Sequence, residues 1–352
     1  MDATSARAQS VIRSYDGPPI RIMEVCGTHT HEIFRLGLRN LLPPSVRMIS
    51  GPGCPVCVTP SSYIDEAVWL AVQKKAIICT FGDLVRVPGS NMSLAEARSG
   101  GADVRMTYSP LDAVAIADAE PGREVVFLSV GFETTTPAEC LAVLQAGERG
   151  TGNFSLLTAN RTMPRAYDAL VGSADAFLYP GHVCAITGTA ACEALTRKNV
   201  SGVVAGFTAG ELLVALATIV TRCREGGAFF ENCYPRVVTA EGNAAAQTLV
   251  EKIMTPCDAE WRGLGLITGS GMKLRPEYAH MDARVRFAIP EMPAGGKTGC
   301  RCGEVLQGRR EPPECPLFGK ACTPQHPVGA CMVSSEGACA AHYQYGGITR
   351  EQ

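Results

Sequence analysis

Between about residues 20 and 255 the chain alternates short β-branched runs with stretches of helical periodicity, and that alternation admits few folds. Strands are expected at residues 20–25, 46–50, 76–81, 104–108, 124–130, 154–158, 176–179 and 202–207. Helices are expected at 30–42, 61–75, 111–118, 138–146, 187–198, 211–222 and 243–254. The helix at 61–75 has Pro60 and Ser61 at its start and Ile64, Ala67, Val68 and Ala71 along its apolar face, the pattern of a helix laid on a core. The run 124–130, EVVFLSV, reads as a buried strand. Strands separated by helices build parallel sheets with helices on their faces. The alternating text is long enough for two α/β units, 20–148 and 149–255, with a break near 148–152 (ERGTG).

Several strand-to-helix junctions carry Gly or Pro together with Cys, His or hydroxyl groups: CGTHT at 26–30, GPGCPVC at 51–57, GFETTTP at 131–137 and YPGHVCAI at 179–186. Ligands of open α/β sheets bind beyond the C-terminal strand ends, where such loops lie. Each loop taken singly also fits ordinary turn chemistry; four together favour a shared site. No G-x-x-x-x-G-K-[ST], G-x-S-x-G or H-E-x-x-H occurs, so the usual nucleotide-hydrolysing, serine-hydrolase and zinc-protease readings lose their motifs.

Composition narrows the class. Hydrophobic residues make up 46% and charged ones 19% of the 352 residues, enough for a large core and against global disorder. Lys+Arg is 32 against Asp+Glu 34, a net charge of −2, which removes the basic footprint of a nucleic-acid binder. The best apolar run, 212–220, is nine residues long and follows Glu211, half the roughly 18 that a membrane-spanning helix needs. The N-terminal stretch MDATSARAQSVIRSYDG has no apolar h-region, so a cytoplasmic protein is expected.

Sixteen cysteines are unusual in such a chain, and six of them crowd into residues 300–352. In a long, unexported protein the cysteines read as metal, cluster or redox groups. From about residue 290 Pro and Gly become frequent and helical periodicity vanishes, which suggests a separate unit, 256–352 with or without the N-terminus, stapled by a metal. Cys315, Cys322, Cys331 and Cys339 are spaced by 7, 9 and 8 residues, unlike a zinc ribbon or a bacterial ferredoxin. Four thiolates in a loop-rich segment suit a cubane iron–sulfur cluster; structural zinc and unliganded thiols remain alternatives, and Cys300 and Cys302 are extra. Cys54 and Cys57 form a C-x-x-C between a strand and a helix, close enough for a disulfide, half of a metal site, or two buried structural thiols. Cys26 ends a strand and opens a helix. A lowered pKa and soft-ligand chemistry are expected there. His29, three residues on, is a hydrogen-bonding or capping group or the second half of a Cys-x-x-His ligand pair. Glu133, Thr134, Thr135 and Thr136 are expected to cap a helix or face the site, and His182 follows a Pro-Gly turn.

The stretches MEVCGTHTHEIFRLGLRNLLP, SGPGCPVCVTP, FGDLVRVPGS, VGFETTTP, ANRTMP, YPGHVCAI and CPLFGKACTPQHPVGACMVSSEGACAAHYQYG together resemble the HypD family of NiFe-hydrogenase maturation (formation) proteins, from about residue 20 to 347. The resemblance implies two related α/β domains and a third carrying a 4Fe-4S cluster in a setting like ferredoxin–thioredoxin reductase. It implies a scaffold on which an Fe(CN)2CO unit is assembled with the small chaperone HypC. Cyanide arrives from HypE and HypF, and the finished unit passes to the hydrogenase large-subunit precursor. The family's central cysteines match Cys26, Cys54 and Cys57. Its cluster ligands fall among the tail cysteines, here Cys315, Cys322, Cys331 and Cys339, with Cys302 as the alternative. In this reading Cys26 is the scaffold's ligand to the iron, and His29 donates a hydrogen bond to the thiolate or a cyanide nitrogen. Cys184 receives no role. A cluster-dependent protein disulfide reductase is the rival in the enzyme class.

Overall fold

The computed structural model describes residues 3–292 and 299–346. Residues 347–352, at the end of the expected cysteine-rich unit, and 293–298 within it lie outside the described residues. In chain order the strands are β1 (Ile20–Glu24), β2 (Val46–Ser50), β3 (Ile77–Thr80), β4 (Val104–Met106), β5 (Val125–Ser129), β6 (Phe154–Thr158), β7 (Asn160–Arg161), β8 (Ala176–Pro180), β9 (Ser201–Ala205), β10 (Phe230–Asn232), β11 (Met254–Trp261) and β12 (Gly265–Leu274). They form three sheets. The first, ordered β10-β9-β8-β1-β2, is parallel throughout. The second, β4-β3-β5-β6, is also parallel. The third, β11-β12-β7, is antiparallel. The α/β class with parallel sheets is thus as expected, and β5, β6, β8 and β9 are buried at every position, as strands covered on both faces must be.

Numbered by their own appearance, the strands of the first sheet lie in the order 2-1-3-4-5 and those of the second in the order 2-1-3-4. Each sheet is therefore wound in both directions from a switch point, β1/β8 in one and β3/β5 in the other, and such points open a crevice at the C-terminal strand ends.

The sheets are not successive halves of the chain. β1 and β2 belong with β8, β9 and β10, whereas β6 pairs with β5 along its length, from Val125↔Phe154 to Ser129↔Thr158. The expected break near 148–152 does not separate the two sheets. Its glycine does another job: Gly150, at φ 70°, closes the helix Thr136–Arg149 in the left-handed conformation. Glycine marks helix ends and linkers alike, and the sequence does not distinguish them. The expected helix at 30–42 is likewise divided into Gly27–Arg35 and a 3-10 turn, Leu38–Leu41, by Gly37 at φ 64°. That at 187–198 becomes Ala190–Ala194 followed by the 3-10 turn Leu195–Lys198.

The N-terminus does not join the cysteine-rich segment. Its helix, Ala3–Arg13, packs against Ala209–Glu225 on one face of the first sheet, where Ala8 and Ile12 meet Leu212, Leu216 and Ile219. Nor is the tail a separate body lacking a core. Ala330 and Val333 are buried with residues of the second sheet, and Cys302, Leu306 and Cys331 with Cys54 and Cys57. The helix Ala338–Tyr345 lies on Gly27–Arg35, with Phe34 and His342 edge to face at 5.4 Å. Among the described residues no helix is long and apolar enough to cross a membrane.

Candidate functional site: a line of buried thiols

Three of the four junction loops, the ones that bear Cys, end adjacent strands. CGTHT follows β1, GPGCPVC follows β2 and YPGHVCAI overlaps the end of β8, in the order β8-β1-β2. Cys26 and His182 flank the switch point of the first sheet. The backbone explains how the loops are locked together. Gly51 N–H donates to the Glu24 carbonyl and Gly27 N–H to the Gly53 carbonyl, each at 2.9 Å. A Cβ on Gly53 would lie 2.2 Å from the Cα and the N of Cys26, so only glycine lets the C-x-x-C loop seat directly on the Cys26 backbone.

Cys26 is the N-cap of Gly27–Arg35 and is buried. Burial pushes its thiol up to about 12; the backbone amides of His29 and Thr28 and the Thr28 hydroxyl oppose this, and the charge of Glu336 adds to it. The lowered pKa expected from the helix start is thus overturned, because desolvation of a thiolate outweighs one helix N-terminus. His29 is also buried. Its Nε2 lies 2.9 Å from the Gly206 carbonyl, an atom that can only accept, so the ring's proton is on Nε2. Burial, then the nearby His182, lowers its pKa to about 3, so the ring is neutral. The donor expected to face a thiolate or cyanide is committed to Gly206, and Nδ1 is left without a partner. Burial also lowers His182, to about 4, and its ring stacks on Phe207 at 5.0 Å.

Cys54 caps the short helix Pro55–Val58, accepting the Cys57 N–H at 3.2 Å, and the Cys57 thiol donates to Cys54 Sγ at 2.7 Å. Both are buried. The single Cys57 proton has two alternative acceptors besides Cys54, the Ala330 carbonyl at 3.9 Å and Cys331. Cys331 is held down to about 7 by hydrogen bonds from Cys302 and Cys57. Cys302 in turn pairs with Cys300. A continuous series of thiols, Cys54, Cys57, Cys331, Cys302 and Cys300, therefore joins the C-x-x-C to the tail.

All six tail cysteines line one narrow cavity, whose other walls include Val305, Leu317, Phe318 and Met332. Cys339 is raised by burial and by the charges of Cys300, Cys322, Cys302 and Cys315. Among the described residues no three His, Cys, Asp or Glu side chains gather closely enough to hold a single metal ion. A multinuclear cluster spreads its thiolates further apart than one ion does, and a soft, carboxylate-free donor set suits iron–sulfur ligation. The residues present fit such a group.

Other expectations resolve differently. Glu133 neither caps its own helix nor reaches Cys26; its Oε1 accepts the Met163 N–H at 2.8 Å, and burial raises it to about 7. Thr136 donates to the Phe132 carbonyl at 3.0 Å. Cys184, given no role, lies 3.8 Å from Cys192, Sγ to Sγ. Sequence reasoning missed Glu336, which accepts the Thr28 hydroxyl at 2.6 Å and brings the tail over Cys26. Only the density of small and polar residues around it hinted at a packed loop.

The profile of the family described as "HypD: Hydrogenase formation hypA family" matches residues 3–346. The chain is 44% identical to the hydrogenase maturation factor HypD of Rhodobacter capsulatus, over 98% of this chain and 94% of that protein. It is 47% identical to that of Rhizobium leguminosarum bv. viciae, over 92% and 88%. It is 45% identical to that of Escherichia coli (strain K12), over 93% and 89%.

Proposed function

The chain belongs to the HypD family of hydrogenase maturation factors, and on that premise we propose that it is the scaffold on which the Fe(CN)2CO unit of a NiFe-hydrogenase is assembled. The observation that carries the reading is the unbroken run of thiols from the loop seated on Cys26 to the six-cysteine cavity. Its partners are a HypC-type chaperone, the cyanide-delivering HypE and HypF, and the hydrogenase large-subunit precursor that receives the finished unit.

Cys26 is the scaffold's ligand to the iron being built. A thiol raised to about 12 stays protonated until a soft metal displaces the proton, which keeps the site inert until its substrate arrives. Cys54 and Cys57 exchange two electrons: both thiols lose a proton and one electron each as the S–S bond forms, and regain them when it breaks. Both sulfurs are buried, and Cys331 is the thiol at hand for exchange with Cys57. This burial leaves no thiol for a protein substrate and argues against the disulfide-reductase alternative.

The tail cavity holds a 4Fe-4S cluster, which when bound supplies single-electron transfer. Cys315, Cys322 and Cys339 are three of its ligands. Cys331, the fourth in the set drawn from spacing, is the thiol bonded to Cys57 and Cys302. Cys300 is first among the cysteines whose charge acts on Cys339 and takes the fourth place in this proposal, leaving Cys331 to serve the dithiol. Cys302 lies between the two.

The test is infrared spectroscopy of the complex co-purified with the HypC-type chaperone, wild type beside Cys26→Ala. The wild type should show cyanide and CO bands. The variant should lose them and hydrogenase maturation while keeping iron and sulfide in the tail. Normal maturation by Cys26→Ala would remove Cys26 from the site. Cys26→Ser should fare little better than Ala, because a hydroxyl is a hard, poorly ionised ligand.

A further inference from the structure

A cleft of about 390 Å³ opens beyond the C-terminal end of β6, between the second sheet and the antiparallel third sheet. None of the thiol-site cysteines lines it, and its volume is that of a small-molecule pocket. Its charges are unevenly satisfied. Arg161 is 6% exposed, yet it meets no carboxylate. Its guanidinium donates to the carbonyls of Ala159 (2.7 Å), Asn160 (3.4 Å) and Glu260 (2.8 Å), and its Nε has no partner. A buried charge whose hydrogen bonds go only to carbonyls is costly unless something anionic completes its shell. Burial lowers Arg161 to about 10, the direction desolvation gives a cation.

Lys273 stands exposed on the rim and lines the same cleft. Of the four acidic groups lining the cleft, Glu260 is exposed and acts on Arg161 through its charge alone; the other three have partners. Glu66 pairs with Arg284 at 2.7 Å, Asp258 accepts the Gly269 N–H at 2.9 Å, and Asp282 accepts the Arg284 N–H at 2.8 Å. The strand register sets which side chains form the floor. Gly271 pairs with Arg161 on one side and Cys257 on the other, so the three share a face. A Cβ on Gly271 would come within 2.8 Å of the Ala259 Cβ and 3.1 Å of Cys257 Sγ. Glycine is needed there because Ala259 and Cys257 crowd its backbone.

We infer that this cleft binds a small molecule bearing an oxyanion, a carboxylate or a phosphate, held by the Arg161 guanidinium from below and the Lys273 ammonium at the rim. Arginine's planar fork suits both anions. The experiment is isothermal titration calorimetry of the full-length, anaerobically purified protein with two probes, succinate and inorganic phosphate. At least one should bind saturably with unit stoichiometry, and which one does assigns the anion class. Arg161→Lys, which keeps the charge but loses the fork, and Lys273→Ala should each weaken it by about ten-fold, the latter with an unchanged melting temperature. If Arg161→Lys does not fold, Lys273→Ala alone decides. Failure of both probes to saturate the wild type, an affinity unchanged in Lys273→Ala, or equal weakening in Lys252→Ala, whose residue is not in the cleft, would overturn the assignment.

Discussion

Gly53→Ala should uncouple the C-x-x-C loop from Cys26 while leaving the rest of the protein standing. The added Cβ would sit 2.2 Å from the Cα and N of Cys26 and 2.4 Å from its carbonyl carbon. These are main-chain atoms fixed at one end by β1 and at the other by the helix Gly27–Arg35, so no side chain can swing away. Carbon atoms rest about 3.5 Å apart, so the loop must lift by about 1.3 Å. Lifting it stretches the 2.9 Å bond between Gly27 N–H and the Gly53 carbonyl, worth about 1 kcal/mol. Overpacking of this kind adds about 1–3 kcal/mol. A loss of about 2–4 kcal/mol follows, a shift of several degrees in melting temperature but not unfolding. The functional loss should be disproportionate, since reactive groups misplaced by about 1 Å lose about a hundred-fold. Denaturation, iron and sulfide content, and maturation of a hydrogenase by the variant would be measured together. A variant that keeps its cluster and stability within these bounds yet matures hydrogenase normally would refute the idea that this close approach positions the site.

Three further outcomes are expected. Cys300→Ala should lose iron and sulfide while Cys331→Ala keeps them; the reverse result would restore Cys331 to the ligand set with Cys315, Cys322 and Cys339. Thiol trapping after mild oxidation, followed by unfolding and peptide mapping, should find Cys54 joined to Cys57, and more slowly in Cys331→Ala; two alkylated thiols in every condition would leave them as structural residues. Glu139 is raised by burial to about 7 with no cation beside it, so below the unfolded value of about 4.3 it has no effect. As pH rises the unfolded chain ionises first and stability falls, by about 3 kcal/mol once pH passes 7. Glu139→Gln should therefore gain melting temperature over the wild type at pH 8 and not at pH 4, and superimposable pH profiles would contradict this.

Much of the fold is legible because parallel sheets covered on both sides demand continuous apolar strands, and EVVFLSV at 124–130 or the run at 202–207 can hardly be anything else. Strand partnership is not legible in the same way. β1 is separated from β8 by more than 150 residues of intervening α/β text, and any of several buried strands could fill that place by hydrophobicity alone. The third sheet escaped notice for a different reason. β12 is largely exposed or half-buried and carries three glycines, so it lacks the β-branched signal that marks the others. Its pairing with β7, two residues long, depends on where β6 ends.

The site was read residue by residue but not in its electrostatics. Position told that Cys26 ends a strand and opens a helix, and from position a low pKa followed. Its environment reverses that sign, because Glu336 and the tail close over the sulfur from more than 300 residues away. The same remoteness hid the place of Cys331. Spacing grouped it with Cys315, Cys322 and Cys339 as one of four equivalent thiols, yet the neighbouring Ala330 carbonyl receives the Cys57 thiol across 273 residues. Cysteines alike in sequence thus differ in what they face: Cys331 and Cys339 both line the cavity, but only Cys331 also meets the dithiol. Cys26, the Cys54/Cys57 pair and the six-cysteine cavity each sit at the end of a different element, so no one segment supplies them. Folding the tail back across both parallel sheets brings them into register. The burial that keeps Cys26 protonated follows from the same closure, so the protonation of Cys26 and the alignment of the thiols have one structural cause.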